Sequence, residues 1–369
     1  QYHAGRKSFA YGNGGLGGRA VDEPEKDDGM KSLQSLYKQT FGIEPASVVT
    51  LPGAGSNRVY IRFATADGQT CIGAWGKDVE ENRTFLYLAR HFSAKGLPVP
   101  RVLGVSADEQ CYLLSDLGDV SLHGALAAWR EQGYDEGSEL AEEGYALLQC
   151  TLRRLPHFQV EGAQGLDFER LLSPNCFCRR SVMFDLNYFK YCFLKTSDLP
   201  FDEMRLEDDF EALTEALVEG VDNETNFLYR DFQSRNVMIC GSDQFMIDFQ
   251  GGRRGPLPYD VASFLWQASA NYPQALRERL IEEYLAELAT LRTVDREAFR
   301  QSLRRFVLFR LLQVLGAYGL RGRFERKAYF LQSIPLALAN VRELLKQGVA
   351  QAYPTLEAIL LQLSAQTIK

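Results

Sequence analysis

The chain has 369 residues, of which 46% are hydrophobic and 24% charged, a composition typical of a globular protein with two or three structural units. Its formal net charge of -7 and the lack of a basic run argue against nucleic acid as a partner, and no apolar run reaches the roughly 18 residues of a membrane-spanning helix. The seven cysteines are an odd number and do not predict a disulfide framework, and Cys176 and Cys178 have no second Cys/His pair nearby that would complete a zinc site. Because cysteines without disulfides are typical of a reducing compartment, we expect a cytoplasmic protein.

Residues 1–29 form the first segment. They are rich in glycine and then in acidic residues, and they show too little apolar periodicity to build a core. We expect a tail that is mobile or not native to the protein. Residues 12–17 have the form G-x-G-x-x-G, but no strand precedes them and no helix pattern follows, so they do not predict a phosphate loop. A short helix is predicted over residues 33–41.

Three strands are predicted next, over residues 46–51, 58–63 and 70–75, from their β-branched and aromatic residues. The loop between the first two contains glycines, which let backbone N–H groups approach an anion closely. It is therefore either a phosphate-binding loop or an ordinary hairpin turn. The candidate phosphate-binding residues are Gly53, Gly55, Ser56, Asn57 and Arg58.

A helix is predicted over residues 78–95. Its first turn contains Glu80 and Glu81, and Glu81 or Glu80 could pair with a cation beside the phosphates, although the helix dipole alone also favours acidic residues there. Two more strands are predicted over residues 99–105 and 111–115. The backbone at Ser115, Asp116 and Leu117 is a candidate for hydrogen bonds to adenine, and the alternative is a strand end followed by a turn.

The rest of the chain is predicted to be mainly helical. A helix over residues 139–155 should end at Pro156. An aromatic helix over residues 184–194 contains Asp185, a candidate sugar-binding residue, although aromatic spacing of this kind is more typical of a core. Further helices are predicted over residues 261–268, 274–289, 295–318, 325–347 and 354–363.

Residues 228–236, with the sequence LYRDFQSRN, carry the strongest functional signal. Asn236 follows Asp231 after four intervening residues, and a later apolar strand leads to Asp248. Phosphoryl transfer needs a carboxylate beside the attacking hydroxyl and oxygen ligands for Mg²⁺, and this spacing supplies both. We assign Asp231, preceded by Arg230, to catalysis as the base, and Asn236 and Asp248 to the Mg²⁺ that accompanies ATP. Taken singly, each of these residues could instead cap a loop.

Several sequence blocks together resemble one family. They are residues 56–62 (SNRVYIR), 96–103 (GLPVPRVL) and 113–119 (LLSDLGD), and the catalytic stretch 229–236 with 247–250 (IDFQ) and 255–260 (GPLPYD). From about residue 30 to its end, the chain resembles the aminoglycoside phosphotransferase and choline kinase superfamily. Within it, the blocks are most similar to bacterial kinases that act on the anomeric hydroxyl of N-acetylmuramate and N-acetylglucosamine.

The resemblance implies an α+β fold, bilobal and protein-kinase-like. A small mixed lobe with an antiparallel sheet, residues 30–117, would bind the nucleotide, and a larger, mostly helical lobe, residues 118–369, would bind the acceptor. The resemblance also implies that Asp260 is a buried carboxylate bracing the catalytic loop and that Gln250 lies beside the metal and the sugar. We add Arg235 as a candidate substrate-binding residue.

Two departures from the family pattern stand out. Tyr229 occupies a position where the family commonly has histidine, and the third strand lacks the lysine that protein kinases place against the phosphates. The base assignment does not depend on the first departure. The second leaves the phosphate cation open, with Arg58, Arg62 and Lys77 as candidates.

These observations predict an enzyme that uses ATP and Mg²⁺ to phosphorylate a small molecule, with the anomeric hydroxyl of an N-acetylated amino sugar as the expected acceptor. Two alternatives stay open. The acidic segment 198–215 would suit an aminoglycoside or an amino alcohol such as choline, and the missing strand lysine would suit a regulatory pseudokinase. The sequence predicts no oligomeric state.

Overall fold

The structure is a computed structural model that describes residues 23–51, 58–219 and 225–365. Its strands are β1 Ser47–Leu51, β2 Val59–Ala64, β3 Thr70–Trp75, β4 Val102–Val105, β5 Cys111–Ser115, β6 Phe227–Leu228, β7 Val237–Cys240, β8 Asp243–Met246 and β9 Arg253–Arg254. Its α-helices are α1 Glu23–Phe41, α2 Val79–Ala94, α3 Leu122–Ala125, α4 Ala127–Glu131, α5 Ala141–Pro156, α6 Arg179–Cys192, α7 Glu203–Val218, α8 Pro258–Leu265, α9 Gln274–Leu291, α10 Arg296–Tyr318, α11 Ala328–Lys346 and α12 Pro354–Ala365.

The chain divides into two compact units. The first comprises residues 1–127, 164–173 and 233–252, and the second comprises residues 128–163, 174–232 and 253–369. The first unit contains a five-stranded sheet and the hairpin β7–β8, whereas the second is mainly helical and includes the short pair β6–β9. The α+β class, with an antiparallel sheet followed by a helical remainder, is therefore confirmed.

The sheet of the first unit has the strand order β1-β2-β3-β5-β4, and all its pairs are antiparallel. Alternate residues of β2 are buried, as expected for a strand with one face on a core. Helix α1 packs on that face. The core that results is formed by Leu33, Leu36 and Tyr37 of the helix and by Val59, Ile61, Phe63, Cys71, Trp75, Cys111 and Leu113.

Helix α1 is longer than the predicted helix over residues 33–41. It begins at Glu23, so residues 23–29, which were assigned to a tail that is mobile or not native to the protein, are helical. The reason is tertiary packing, because a Cβ atom added at Gly29 would lie 2.6 Å from the Trp75 ring. The G-x-G-x-x-G stretch at residues 12–17 lies outside the described residues.

In the second unit, α10 packs against α6, α8 and α11. Glycines allow α6 and α10 to approach closely. A Cβ atom at Gly316 would lie 2.9 Å from the backbone nitrogen of Phe189, and one at Gly319 would lie 2.1 Å from the carbonyl oxygen of Cys192. This contact fixes the relative position of the two helices that carry Asp185 and Arg310.

Two sequence predictions for the second unit were wrong. Pro156 does not stop the helical path, because it is itself the last residue of α5 and the chain continues directly into a wider π turn, His157–Glu161. Helix α7 was missed because its segment was interpreted only as acidic. Its buried residues do have helical spacing, and they include Leu206, Phe210, Leu213 and Leu217.

In the part of the chain that the structure describes, no helix combines the length and the apolar character needed to cross a bilayer.

Candidate active site

The start of the predicted catalytic loop, residues 229–236, is held by the carboxylate of Asp260, which is fully buried. The backbone N–H groups of Tyr229 and Arg230 each donate a hydrogen bond of 2.8 Å, one to each oxygen of Asp260, and Nε2 of Gln159 donates another of 2.9 Å. Burial raises the pKa of Asp260 to about 7, and the N–H donors oppose this rise because they stabilise the ionised form. Asp260 therefore fixes the backbone that leads to Asp231.

Arg230 has an unusual backbone conformation. Its φ of 76° lies in the left-handed region, which is costly for a residue with a Cβ atom. The N–H bond to Asp260 and a bond of 3.3 Å from the Ser263 hydroxyl to the Arg230 carbonyl hold it there. Strained residues of this kind concentrate at functional sites because surrounding contacts must stabilise them.

Asp231 is buried, and its Oδ1 lies 3.7 Å from a guanidinium nitrogen of Arg310. Burial raises the pKa of Asp231, while the positive charges of Arg230, Arg310 and Arg253 oppose the rise. A carboxylate whose pKa moves towards neutral is a better proton acceptor near pH 7. The environment of Asp231 therefore suits a general base.

Asp185, on α6, shares these arginine neighbours. Burial raises its pKa, and Arg230, Arg253 and Arg310 oppose the rise. Nε2 of Gln313 donates a hydrogen bond of 2.7 Å to Asp185, and Oε1 of Gln313 accepts one from Arg310. We call the set Asp185, Arg230, Asp231, Arg253 and Arg310 the arginine cluster.

The predicted metal ligands lie in the first unit, at the open end of the hairpin β7–β8. Asn236 ends a 3₁₀ turn just before β7, and Asp248 follows β8 with a left-handed φ of 67°. The Asn236 amide donates a hydrogen bond of 3.2 Å to Asp248, and the N–H of Ile247 donates one of 3.0 Å to the Asn236 carbonyl. The structure thus brings Asn236 and Asp248 together.

Gln250 connects Asp248 to an ion pair. Its Nε2 donates to Asp248 at 2.8 Å and to Glu81 at 3.3 Å, and Glu81 in turn lies 3.1 Å from a guanidinium nitrogen of Arg58. Burial alone would lower the pKa of Arg58, but Tyr112, Tyr60 and Glu81 raise it above its ordinary value. Arg58 therefore keeps its positive charge although it is buried.

The chemistry of this group fits a divalent cation. Mg²⁺ is commonly bound by one or two carboxylate or amide groups while substrate phosphates and water complete its octahedron. Asn236 and Asp248 offer such oxygens. Within the described residues, the buried Oε1 of Gln250 has no hydrogen-bond donor, so it can accept one from a metal-bound water or a substrate hydroxyl.

Arg62 is engaged elsewhere. It forms a bidentate contact with Asp116, at 2.5 Å and 3.1 Å, and further bonds of 3.0 Å and 3.1 Å to Asp119. Burial raises the pKa of Asp116, but the bonds from Arg62 and the Gly118 N–H lower it overall. The structure places Arg62 at the predicted adenine-binding segment.

The other predicted residues are spread over several places. Ser115 ends β5, and its hydroxyl accepts a hydrogen bond of 2.9 Å from the Arg101 N–H. Leu117, two residues later, is half-buried. Lys77 is exposed after β3, and Arg235 lies in the turn Ser234–Asn236. Gly53, Gly55, Ser56 and Asn57 lie outside the described residues. Their assignments stay predictions.

The sequence analysis missed Arg253 and Arg310. Arg310 lies in an apolar stretch of α10, residues 306–312, and an arginine within such a stretch is a local signal that could have been used. Arg253 follows two glycines, and it joins the cluster only because β9 pairs with β6, which aligns Arg253 with Leu228. No local sequence pattern reveals that pairing.

The chain is similar to several named proteins. A protein named N-acetylmuramate/N-acetylglucosamine kinase, from Pseudomonas aeruginosa, is 22% identical over 306 residues, which cover 79% of this chain and 82% of that protein. A protein of the same name from Neisseria meningitidis is 25% identical over 294 residues, which cover 77% and 81%. A solved structure of amicoumacin kinase in complex with AMP-PNP, Ca²⁺ and Ami has a TM-score of 0.58 and 12% identity, covering 91% of this chain and 95% of that one, and this likeness shows the fold.

A match at the family level covers most of the chain. Residues 51–298 match the family described as "Phosphotransferase enzyme family". The match includes the catalytic loop, both predicted metal ligands and the arginines of the cluster up to Arg253. The chain therefore belongs to the phosphotransferase enzyme family, and it is a small-molecule kinase.

Proposed function

We propose that this kinase transfers the γ-phosphoryl group of ATP to the anomeric hydroxyl of an N-acetylated amino sugar, giving ADP and a sugar 1-phosphate. The two relatives named N-acetylmuramate/N-acetylglucosamine kinase support this acceptor class. The observation that carries the proposal is the environment of Asp231, a buried carboxylate among three arginines. Such a site can take a proton from a sugar hydroxyl but repels a cationic acceptor.

In this proposal Asp231 accepts the proton of the anomeric hydroxyl. The oxygen of that hydroxyl attacks the γ-phosphorus of ATP, and the bond between the γ-phosphorus and the leaving ADP oxygen breaks. Asp260 acts as a positioning residue through the backbone of Tyr229 and Arg230. Asn236 and Asp248 would hold Mg²⁺, which when bound neutralises charge on the phosphates. The buried Oε1 of Gln250, which accepts no hydrogen bond within the described residues, would orient a water bound to the metal or a hydroxyl of the sugar.

Arg58 is the best candidate for the cation that replaces the strand lysine. It is buried, charged and paired with Glu81, which lies in the first turn of α2 as the sequence analysis proposed. Arg62 is less suitable because two carboxylates, Asp116 and Asp119, already neutralise it. The phosphate loop at residues 52–57, the adenine contacts near residue 116 and the division of roles between residues 30–117 and 118–369 remain part of the proposal.

The alternative of an aminoglycoside or amino-alcohol acceptor loses its main support. It depended on free acidic groups in the segment 198–215, and most of these are occupied within the second unit. Asp202 caps α7 and Asp209 accepts the Leu356 N–H at 2.8 Å. Among the glutamates, Glu203 pairs with Lys195, Glu207 pairs with Lys190, and Glu211 and Glu215 pair with Arg179.

A substrate panel tests the proposal. The purified protein is incubated with ATP and Mg²⁺ and with N-acetylglucosamine, N-acetylmuramate, kanamycin or choline, and both ADP and phosphorylated product are measured. We expect product with the amino sugars and little with the two cationic compounds. Faster turnover with kanamycin or choline would overturn the acceptor assignment, and nucleotide binding without ADP release for any compound would support a regulatory pseudokinase.

A further inference from the structure

Arg253 is the most unusual member of the arginine cluster. Its side chain is only 6% exposed, and in the part of the chain that the structure describes its buried Nε has no hydrogen-bond acceptor. Leaving a buried charged donor without a partner is costly, because the group loses its hydration and gains nothing in return. Such a donor in a candidate substrate site points to a group that arrives with the substrate.

The charge balance of the cluster agrees with this reading. Three arginines face two aspartates, so the formal charge is +1. Burial and the neighbouring Arg230 lower the pKa of Arg253 to about 10, although Tyr259, Asp185 and Asp231 oppose the fall. Burial also raises the pKa of Asp185 and of Asp231, which lowers their capacity to compensate it.

The acceptor atoms of Gln313 and Asp260 and one oxygen of Asp185 are already in use. Asp185 accepts from Gln313, and Oε1 of Gln313 accepts from Arg310 and from the Tyr259 hydroxyl. The two oxygens of Asp260 accept backbone and amide N–H groups. An additional anion at Nε of Arg253 would therefore improve the charge balance of the cluster and leave these bonds in place.

We propose that Arg253 binds a carboxylate on the acceptor, so that the enzyme prefers an N-acetylated amino sugar with an acidic substituent, such as the lactyl ether of N-acetylmuramate, to neutral N-acetylglucosamine. The inference rests on the proposed function. A guanidinium matches a carboxylate well because its planar N–H donors form two parallel hydrogen bonds. Asp231 would then act on the anomeric hydroxyl of the same sugar.

The neighbouring residue Arg254 provides a matched control. Successive residues of a strand point to opposite faces, so Arg253 and Arg254 project in different directions from β9. Arg254 interacts electrostatically with Cys176 and is absent from the charges that act on Asp185 and Asp231. Arg254→Met removes the same charge from the same strand without changing the cluster.

The experiment compares kcat/KM for N-acetylmuramate and N-acetylglucosamine in the wild type, Arg253→Met, Arg253→Lys and Arg254→Met. We expect the wild type and Arg254→Met to prefer N-acetylmuramate by about tenfold or more, the usual scale for a charge-assisted hydrogen bond. In Arg253→Met the preference should fall towards one, mainly through KM for the acidic sugar, and Arg253→Lys should restore part of it.

A second measurement does not depend on any variant. The methyl ester of N-acetylmuramate keeps the shape of the substituent but removes its charge, so the wild type should use it no better than N-acetylglucosamine. An ester as good as the acid, equal use of both sugars, or an unchanged preference in Arg253→Met would overturn the inference while the proposed function stands. If neither sugar is phosphorylated, the proposed function fails and this inference fails with it.

Discussion

Replacing Asp260 by asparagine should lower both the free energy of unfolding and kcat. The carboxylate accepts N–H bonds on both oxygens, one from Tyr229 and one from Arg230, whereas an asparagine side chain has a single oxygen. Either orientation of the amide leaves one backbone N–H facing an NH₂ group. The better orientation keeps the oxygen that also accepts from Gln159, so the Arg230 N–H is the one expected to lose its partner.

The size of the effect follows from these contacts. A hydrogen bond to a charged group contributes about 1.5–3 kcal/mol. Part of the loss is offset because Asp260→Asn also removes a carboxylate that burial disfavours, as its raised pKa of about 7 shows. We therefore expect the free energy of unfolding to fall by roughly 1–2 kcal/mol. Arg230 would be released from its left-handed conformation, and the resulting shift of Asp231 should lower kcat by about tenfold or more.

Urea unfolding and steady-state kinetics at pH 8, where the wild-type carboxylate is ionised, measure both effects. Asp202→Asn is the control, because asparagine caps a helix about as well as aspartate and one oxygen of Asp202 makes both cap bonds of α7. The control should change the free energy of unfolding by less than about 0.5 kcal/mol. If Asp260→Asn matched the wild type in both measurements, Asp260 would not brace the loop.

Three further variants test other parts of the account. Asp231→Asn should lower kcat by about 10²-fold with little change in the Kd of ATP, and near-normal turnover would exclude Asp231 as the base. Asp248→Ala should abolish the Mg²⁺ dependence of nucleotide binding in calorimetry, and a wild-type difference with and without Mg²⁺ would leave Asp248 only a structural role. Burial lowers the pKa of His157, but its contacts with Glu161 and Glu287 raise the pKa overall. The protonated imidazole therefore stabilises the folded protein fully below about pH 6.5, and this stabilisation is lost as the pH rises through the pKa of His157 in the folded state. His157→Gln should therefore reduce the urea midpoint more at pH 5.5 than at pH 8.5, and equal losses would contradict that linkage.

Local patterns in the sequence predicted much of the fold. The bounds of β3 and β5 agree with the structure at both ends, since alternation and turn residues define them locally. The start of α1 and the course of the chain past Pro156 could not be predicted in this way. The first depends on packing of Gly29 against Trp75, and the second on a π turn in a buried segment.

The candidate site divides in the same manner. Asp231, Asn236 and Asp248 could be predicted as site residues because short spacings along the chain indicate their chemistry. Arg253 and Arg310 approach Asp231 only through the strand pair β6–β9 and the packing of α10, which are contacts between distant parts of the sequence. Arginines that act on the predicted base through their charge are therefore harder to predict than the base itself.

The position of the phosphate on the product tests the central claim most directly. The protein is incubated with ATP, Mg²⁺ and N-acetylmuramate or N-acetylglucosamine, and the product is examined by ³¹P NMR with coupling to the sugar protons. We predict a single phosphate coupled to the proton on C1, which identifies transfer to the anomeric hydroxyl. A phosphate coupled to any other ring proton would contradict the account. It would also be contradicted if the protein phosphorylated an amino compound but formed no sugar phosphate.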